Sequence, residues 1–255
     1  VQTRGDFPWW LVAASALGLY FLWRIVSDDL YSQVLTTLSR GVAITLFVTV
    51  VGFALASLLG LLLALGSTAR WMVVRQAVRF YVEIVRGIPI LVLLLYVAFV
   101  LAPFLVELWN LIGLPEARTR DFPLIWRAIL ALVIGYSAFI AEVFRAGLLS
   151  VDPGQIEAAK ALGLSSWQRF RLIVLPQAIK TILPPLGNDF IAMIKDSSLV
   201  SVLGVLDITQ LGKVTAAGNF RYFETYNVVA FLYLAMTIGL SLLLRRLERQ
   251  LNRKP

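Results

Sequence analysis

The sequence contains no cysteine and no histidine. Without cysteine there is no disulfide and no thiol chemistry. Without histidine the Ser-His and Cys-His nucleophile pairs, HExxH zinc sites and histidine-ligated haem are excluded. Nor is there a GxxxxGK[ST] stretch. Gly60 to Ser67 has glycines at a loosely similar spacing, but no lysine, and it lies in an apolar run. The chain therefore has no loop of its own to cradle ATP. Acidic residues are scarce, 15 against 23 Lys and Arg, for a formal net charge of +8. There is no internal repeat and no low-complexity segment.

What is present in excess is apolar surface. The chain is 59% hydrophobic, where a soluble domain has about 45–50%. The excess is gathered in long runs, which read as membrane-crossing helices. Six spans are expected: Pro8 to Val26, Gly41 to Gly66, Ile88 to Leu108 (interrupted by Pro103), Ala128 to Leu149, Pro176 to Leu206, and Tyr226 to Leu244. Six helices of about 20 residues take up half the chain, which leaves no room for a second, soluble domain. The fold class is all-α integral membrane. Because the chain starts at Val1 rather than Met, residues ahead of it are expected. Ala14-Ser15-Ala16 resembles a signal cleavage triplet, but it lies inside the apolar run, which argues for a retained helix.

The basic residues fall mostly between the apolar runs, so they read as topology signals rather than as a nucleic-acid surface. Thirteen Lys and Arg lie on one side of the expected spans and seven on the other. The richer side is cytoplasmic. That places both termini and segments 67–87 and 150–175 in the cytoplasm. Trp9, Trp10, Trp23, Trp71, Trp109 and Trp126 stand at span edges, as interfacial belts do.

The segment after the fourth span is organised. Asp152-Pro153-Gly154 is a turn signal. Ile156, Ala159 and Leu162 follow at helical spacing, and Gly163 stands where a C-cap would. Ser165 or Ser166 can cap a second helix, and Pro176 suits the start of the next. Ala158, Ala159 and Ala161 would then offer a small-residue knob to another protein.

At these residues the sequence resembles a known family. Glu157-Ala158-Ala159, Gly163, Ile173, Leu175 and Pro176 fit the EAA loop of bacterial ABC importer permeases. Arg86-Gly87-Ile88-Pro89 resembles the Arg-Gly-Thr-Pro segment of the polar amino-acid branch, the permeases for His, Glu, Gln and Arg, with Ile88 as a departure. Leu175 to Ala178, Leu183-Pro184-Pro185-Leu186, Asn188 to Ile191 and Lys195 to Leu199 also look like that branch. The resemblance covers residues 40–245. It implies a five-helix type I permease core at 41–246, preceded by an added helix and linker at 1–40 and followed by a cytoplasmic tail at 247–255. It implies a coupling helix in loop 150–176 that docks on a separate dimer of ATP-binding cassette ATPases, where ATP and Mg would be bound. It implies a second permease subunit, identical or homologous, and an extracytoplasmic amino-acid-binding protein. The chain itself would be a non-catalytic subunit in the bacterial inner membrane.

The fifth span carries Lys180, Asp189, Lys195 and Asp196. Charged residues inside a span are costly and face protein, water or one another. Asp189 and Asp196 are seven apart, two turns, and point the same way. Asn188 and Ser197 lie beside them, and Pro184-Pro185 is expected to break the helix just before. Interrupted helices are where transporters build sites. Asp189, Asp196, Asn188 and Ser197 are therefore the candidate solute-path residues. The alternative is that Lys180 or Lys195 neutralises an acid and the group only holds helices together. Glu142 and Arg145 have the spacing of a local ion pair. Thr45 and Thr49 pack helices or line the path, and Met193 reads as packing. An intramembrane aspartyl protease would need its two acids on different helices and a GxGD segment, which is absent. A channel or secondary transporter would leave the Glu157–Pro176 loop unexplained.

Overall fold

The computed structural model describes residue 7 and residues 9–252, and among these it is helical with no strand. Arg4, Pro8, Arg253 and Lys254 of the charge and span assignments lie outside the described residues. Helix α1 (Trp9–Ser27) meets α2 (Asp29–Ser67) at the single extended residue Asp28. The Asp28 carboxylate caps α2, accepting from the Leu30 amide at 3.0 Å, and pairs with Arg24. The Arg24 guanidinium also lies over the Tyr31 ring.

Helix α2 is 39 residues long, about 58 Å, so it overruns a hydrocarbon core of about 30 Å. Its surplus turns are not a linker. Tyr31, Val34 and Leu38 bury themselves with Ile25, Ile208, Val228 and Val229 in a second apolar core at one end of the bundle. The main core is built on α6 (Leu124–Leu149), the most enclosed of the long apolar helices. Gly52 faces Leu132 and Gly60 faces Ile140, so α2 and α6 run parallel.

Between them come α3 (Met72–Gly87), α4 (Ile90–Tyr96), a wide turn at Val97–Leu101 and α5 (Ala102–Leu111). The expected interruption at Pro103 is that wide turn. It accommodates a ring that has no N–H to offer the preceding turn. Arg127 straps the region, donating to the carbonyls of Phe122, Ala98 and Thr119.

Two expectations are corrected here. Segment 67–87 is not wholly a cytoplasmic connection. Its arginines mask an apolar face, and Val82 and Val85 are buried in the main core. The Tyr81 hydroxyl reaches Ser137 at 2.8 Å, so α3 packs along the second half of α6. The true interruption is at Ile88-Pro89, level with the middle of α6. Nor do Pro184-Pro185 break the fifth span. The helix α9 runs unbroken over Leu175–Asp196 through both prolines. Two successive residues already fixed near helical φ fit one turn, at the cost of two backbone bonds.

Helices α7 (Pro153–Ala161) and α8 (Ser166–Arg169) precede α9, with a wide turn at Phe170–Val174. A tight turn at Ser197–Leu203 leads to α10 (Ile208–Asn219) and then α11 (Tyr222–Asn252). Leu244 packs on Gly187, while the Tyr233 hydroxyl bonds Asp207 at 3.1 Å, so α11 returns antiparallel to α9. Arg245 lies over Trp10, and Phe21 packs on Phe231, which sets α1 antiparallel to α11. The start of α1, the end of α11 and the corner holding α7 therefore share one end of the bundle. Among the described residues five helical stretches are long and apolar enough to cross a membrane, α4 to α5 counting as one; α9, the sixth expected, is not apolar enough to count among them.

Candidate functional site

Proline restricts the residue before it to extended conformations. Ile88 and Pro89 are accordingly extended (φ −97°, ψ 128° and φ −57°, ψ 137°), and they separate α3 from α4. The gap opens a cavity of about 550 Å³, closed on its other sides by α6 and α9. Its polar lining is Arg86, Tyr136, Asp189 and Asp196, with Gly87, Pro89, Gly135 and Phe139 between them.

Asp189 and Asp196 present themselves to the same space, two turns apart on α9. The Asp196 Oδ2 accepts from the Tyr136 hydroxyl at 2.8 Å. The Asp189 Oδ2 is buried with no hydrogen-bond partner among the described residues. Across from them the Arg86 guanidinium lies over the Phe139 ring, 5.5 Å from its centre. The helix beginning at Ile90 also opens on this cavity, and the N–H groups of a first turn have no intrahelical acceptor.

Asn188 and Ser197 do not line the cavity. Asn188 is exposed, and Ser197 is buried and donates to the Ile194 carbonyl at 2.7 Å. Lys180 and Lys195 are both exposed. Neither enters an ion pair with Asp189 or Asp196; among the described residues the ion pairs are Arg24–Asp28, Glu142–Arg145 and Arg221–Glu224. Thr45 and Thr49 are fully buried in helix packing, and Met193 lies against Gly52. Pro184 and Pro185 stay within α9, away from the cavity lining.

Arg86 is shared with a second cavity of about 470 Å³, lined also by Arg75, Arg79, Glu83, Glu142 and Arg145. The Glu142–Arg145 pair is there, at 2.6 Å. No group of residues able to hold a metal ion occurs among the described residues. Together the groups can hold a small molecule bearing both an ammonium and a carboxylate. Tyr136 and Phe139 were not legible as site residues, because an aromatic in an apolar run reads as packing or a belt. Only the polar neighbours Gly135-Tyr136-Ser137 in mid-span were a signal.

At the end of the bundle, Asp152 caps α7 through the Gly154 amide at 2.6 Å. Gly163 ends it with φ +74°, and the Leu164 amide reaches back to the Ala159 carbonyl at 3.1 Å. Ser165 and Gln168 form a reciprocal capping box. Glu157 and Ala158 are exposed, but Ala159 is buried against its own chain, so the expected knob of alanines is narrower than its sequence suggested. Leu162 and Trp167 stand out instead, 81% and 66% exposed. Gln177 of α9 donates to Gln155 of α7 at 2.7 Å, which ties the corner to the helix bearing the acids. Pro176 sits in the first turn of α9, directly after the wide turn.

Residues 56–255 match the family of binding-protein-dependent transport system inner membrane components. The chain belongs to that family. This permease is thus a membrane component of an ABC transporter, a family in which the ATPase is a separate subunit. It is 37% identical over 215 residues to the glutamine transport system permease protein of Escherichia coli (strain K12), covering 84% of the permease and 93% of that relative. It is 30% identical over 213 residues to the arginine transport system permease protein of Bacillus subtilis (strain 168), covering 84% and 91%. The crystal structure of an amino acid ABC transporter with histidines superposes with a TM-score of 0.73 at 35% identity, over 89% of the permease and 98% of that chain. The permease therefore has the type I architecture, with the added helix α1 in front.

Proposed function

We propose that the permease carries polar amino acids, basic ones included, inward across the cytoplasmic membrane, through the cavity between Arg86 and the Asp189–Asp196 pair. The observation that carries this reading is the cavity's charge balance. Its lining holds two carboxylates and one guanidinium. An amino-acid zwitterion would place its carboxylate at Arg86 and the start of α4, and its ammonium at an acid. One acid is then left over, and Asp189 has an oxygen with no partner. A side-chain cation completes the set. The volume, about 550 Å³, is within the range of small-molecule sites. Relatives named for glutamine and arginine transport support the solute class.

In this reading ATP and Mg belong to a partner ATPase dimer, which grips the corner at Glu157, Ala158, Ala159 and Gly163. A second permease subunit completes the path, and an extracytoplasmic binding protein delivers the solute. The excess of Lys and Arg puts α7 and both chain ends in the cytoplasm. The arrangement of α1, α11 and α7 at one end of the bundle supports that orientation.

The test is ATPase stimulation and uptake by the reconstituted complex, with its binding protein, across a panel of amino acids. Arginine or lysine should stimulate. Asp189→Asn should lower the preference for basic over neutral solutes by about tenfold or more, since it removes a charge-assisted bond worth about 1.5–3 kcal/mol. Uptake and selectivity unchanged in both Asp189→Asn and Asp196→Asn would reject the site.

A further inference from the structure

Helix α1 lies outside the five-helix core, and nothing in the passage or the coupling corner uses it. It packs on α2 at Asp28 and leans toward α11, but the two helices do not close on each other. Phe21 packs on Phe231, and Trp10 lies under Arg245. Two cavities follow one another along this α1–α11 seam, and we read them as one groove with two chemically different halves.

The inner half is a cleft of about 300 Å³, lined entirely by apolar residues, among them Gly18, Phe21, Phe231, Ala235 and Gly239. The Phe21–Phe231 contact closes it toward the middle of the bundle. The outer half is a wider cavity of about 570 Å³, lined by Leu11, Leu242, Arg245, Arg246, Arg249 and Gln250. None of these three arginines forms an ion pair among the described residues, and no acid lines the cavity. Eleven residues of α11 separate Leu234 from Arg245, a rise of about 16 Å. One leaflet of a bilayer has a hydrocarbon depth of about 15 Å. Trp10 lies at the arginine end, under Arg245, where interfacial aromatics sit.

We propose that this groove binds one anionic phospholipid, with its phosphate among Arg245, Arg246 and Arg249 and an acyl chain in the cleft beside Gly18 and Gly239. Charge selects the headgroup, because three cations without an acid favour a net negative lipid over a zwitterionic one. Depth selects a lipid over a soluble phosphate, because the dry cleft continues the arginine cavity for the length of one acyl chain. The role of α1 is then to make the second wall of a lipid site that α11 alone lacks.

The experiment is native mass spectrometry of the intact detergent-solubilised transporter, titrated with dioleoyl phosphatidylglycerol or dioleoyl phosphatidylcholine. One phosphatidylglycerol per permease should bind at least about tenfold more tightly than phosphatidylcholine. Replacing all three arginines with Gln should abolish the preference, and replacing them with Lys should restore most of it. Neutral variants also remove topological charge, so a second variant keeps every charge. A Cβ at Gly18 or Gly239 meets nothing within 4 Å, and both glycines line the cleft, so G18L/G239L puts bulk into it. It should lower phosphatidylglycerol binding by a similar factor. Equal binding of the two lipids overturns the proposal. So does phosphatidylglycerol binding that survives the G18L/G239L change, or competition by glycerol phosphate as strong as by the lipid.

Discussion

Asp196 and Asp189 sit on one helix face, yet their surroundings differ. Asp196 is held by the Tyr136 hydroxyl, whereas Asp189 keeps one oxygen buried with no hydrogen-bond partner among the described residues. Tyr136 is therefore a positioning residue. Tyr136→Phe should raise the half-saturating solute concentration by about tenfold, the worth of one hydrogen bond to a charged group. ATP hydrolysed per solute carried should stay as it was, which uptake and phosphate release measured together will show. Arg86→Gln should act on every amino acid alike, because the carboxylate it would meet is common to all. That contrasts with Asp189→Asn, which should act on basic solutes most. Competition against one labelled amino acid separates the two patterns. The acid pair was legible from a spacing of seven in an apolar run. Its partner Tyr136 was not, because nothing in a linear pattern says which helix will face α9. Asn188 and Ser197 were chosen for adjacency, and adjacency on a helix turns a side chain by about 100°.

Among the elements, the corner from α7 to α9 combines a rigid cap with a tie to the acid-bearing helix. Gly163 takes φ +74°, a conformation that costs a β-branched residue about 1–2 kcal/mol. Gly163→Val should loosen the end of α7 and lower solute-dependent stimulation of the ATPase, while the complex still hydrolyses ATP at its basal rate. Gly147 lets α6 and α9 approach, since an added carbon there would strike Ile182. Gly147→Leu should destabilise the permease by about 1–3 kcal/mol, as overpacking does, seen as a lower melting temperature in detergent. Capping signals at Asp152, Gly163 and Ser165 are local, and local chemistry reads well from sequence. The wide turns at Val97–Leu101 and Phe170–Val174 do not, because the chain chooses between a kink and an extra residue by packing. The double proline misleads for the same reason: its neighbours hold α9 straight.

At the scale of the whole molecule, hydropathy marked the long apolar helices and missed α3, which borders the cavity. Helix α3 carries three arginines, Arg75, Arg79 and Arg86, beside a stripe in which Val82 and Val85 are buried. A loop and a half-inserted amphipathic helix share that composition, and only the position of the break at Ile88-Pro89 tells them apart. Helix α1, by contrast, is joined to α2 through Asp28 alone. One non-helical residue spans less than about 8 Å between the helix ends, too little for α1 to cross to a neighbouring copy. In a two-fold assembly each added helix must stay with its own chain, and no exchange of α1 between subunits is open to it. The absence of native cysteine makes this easy to see. A chain with cysteines at positions 21 and 231 should be joined by a short bis-maleimide linker into a product that runs as a monomer on denaturing gels, with no cross-linked dimer band.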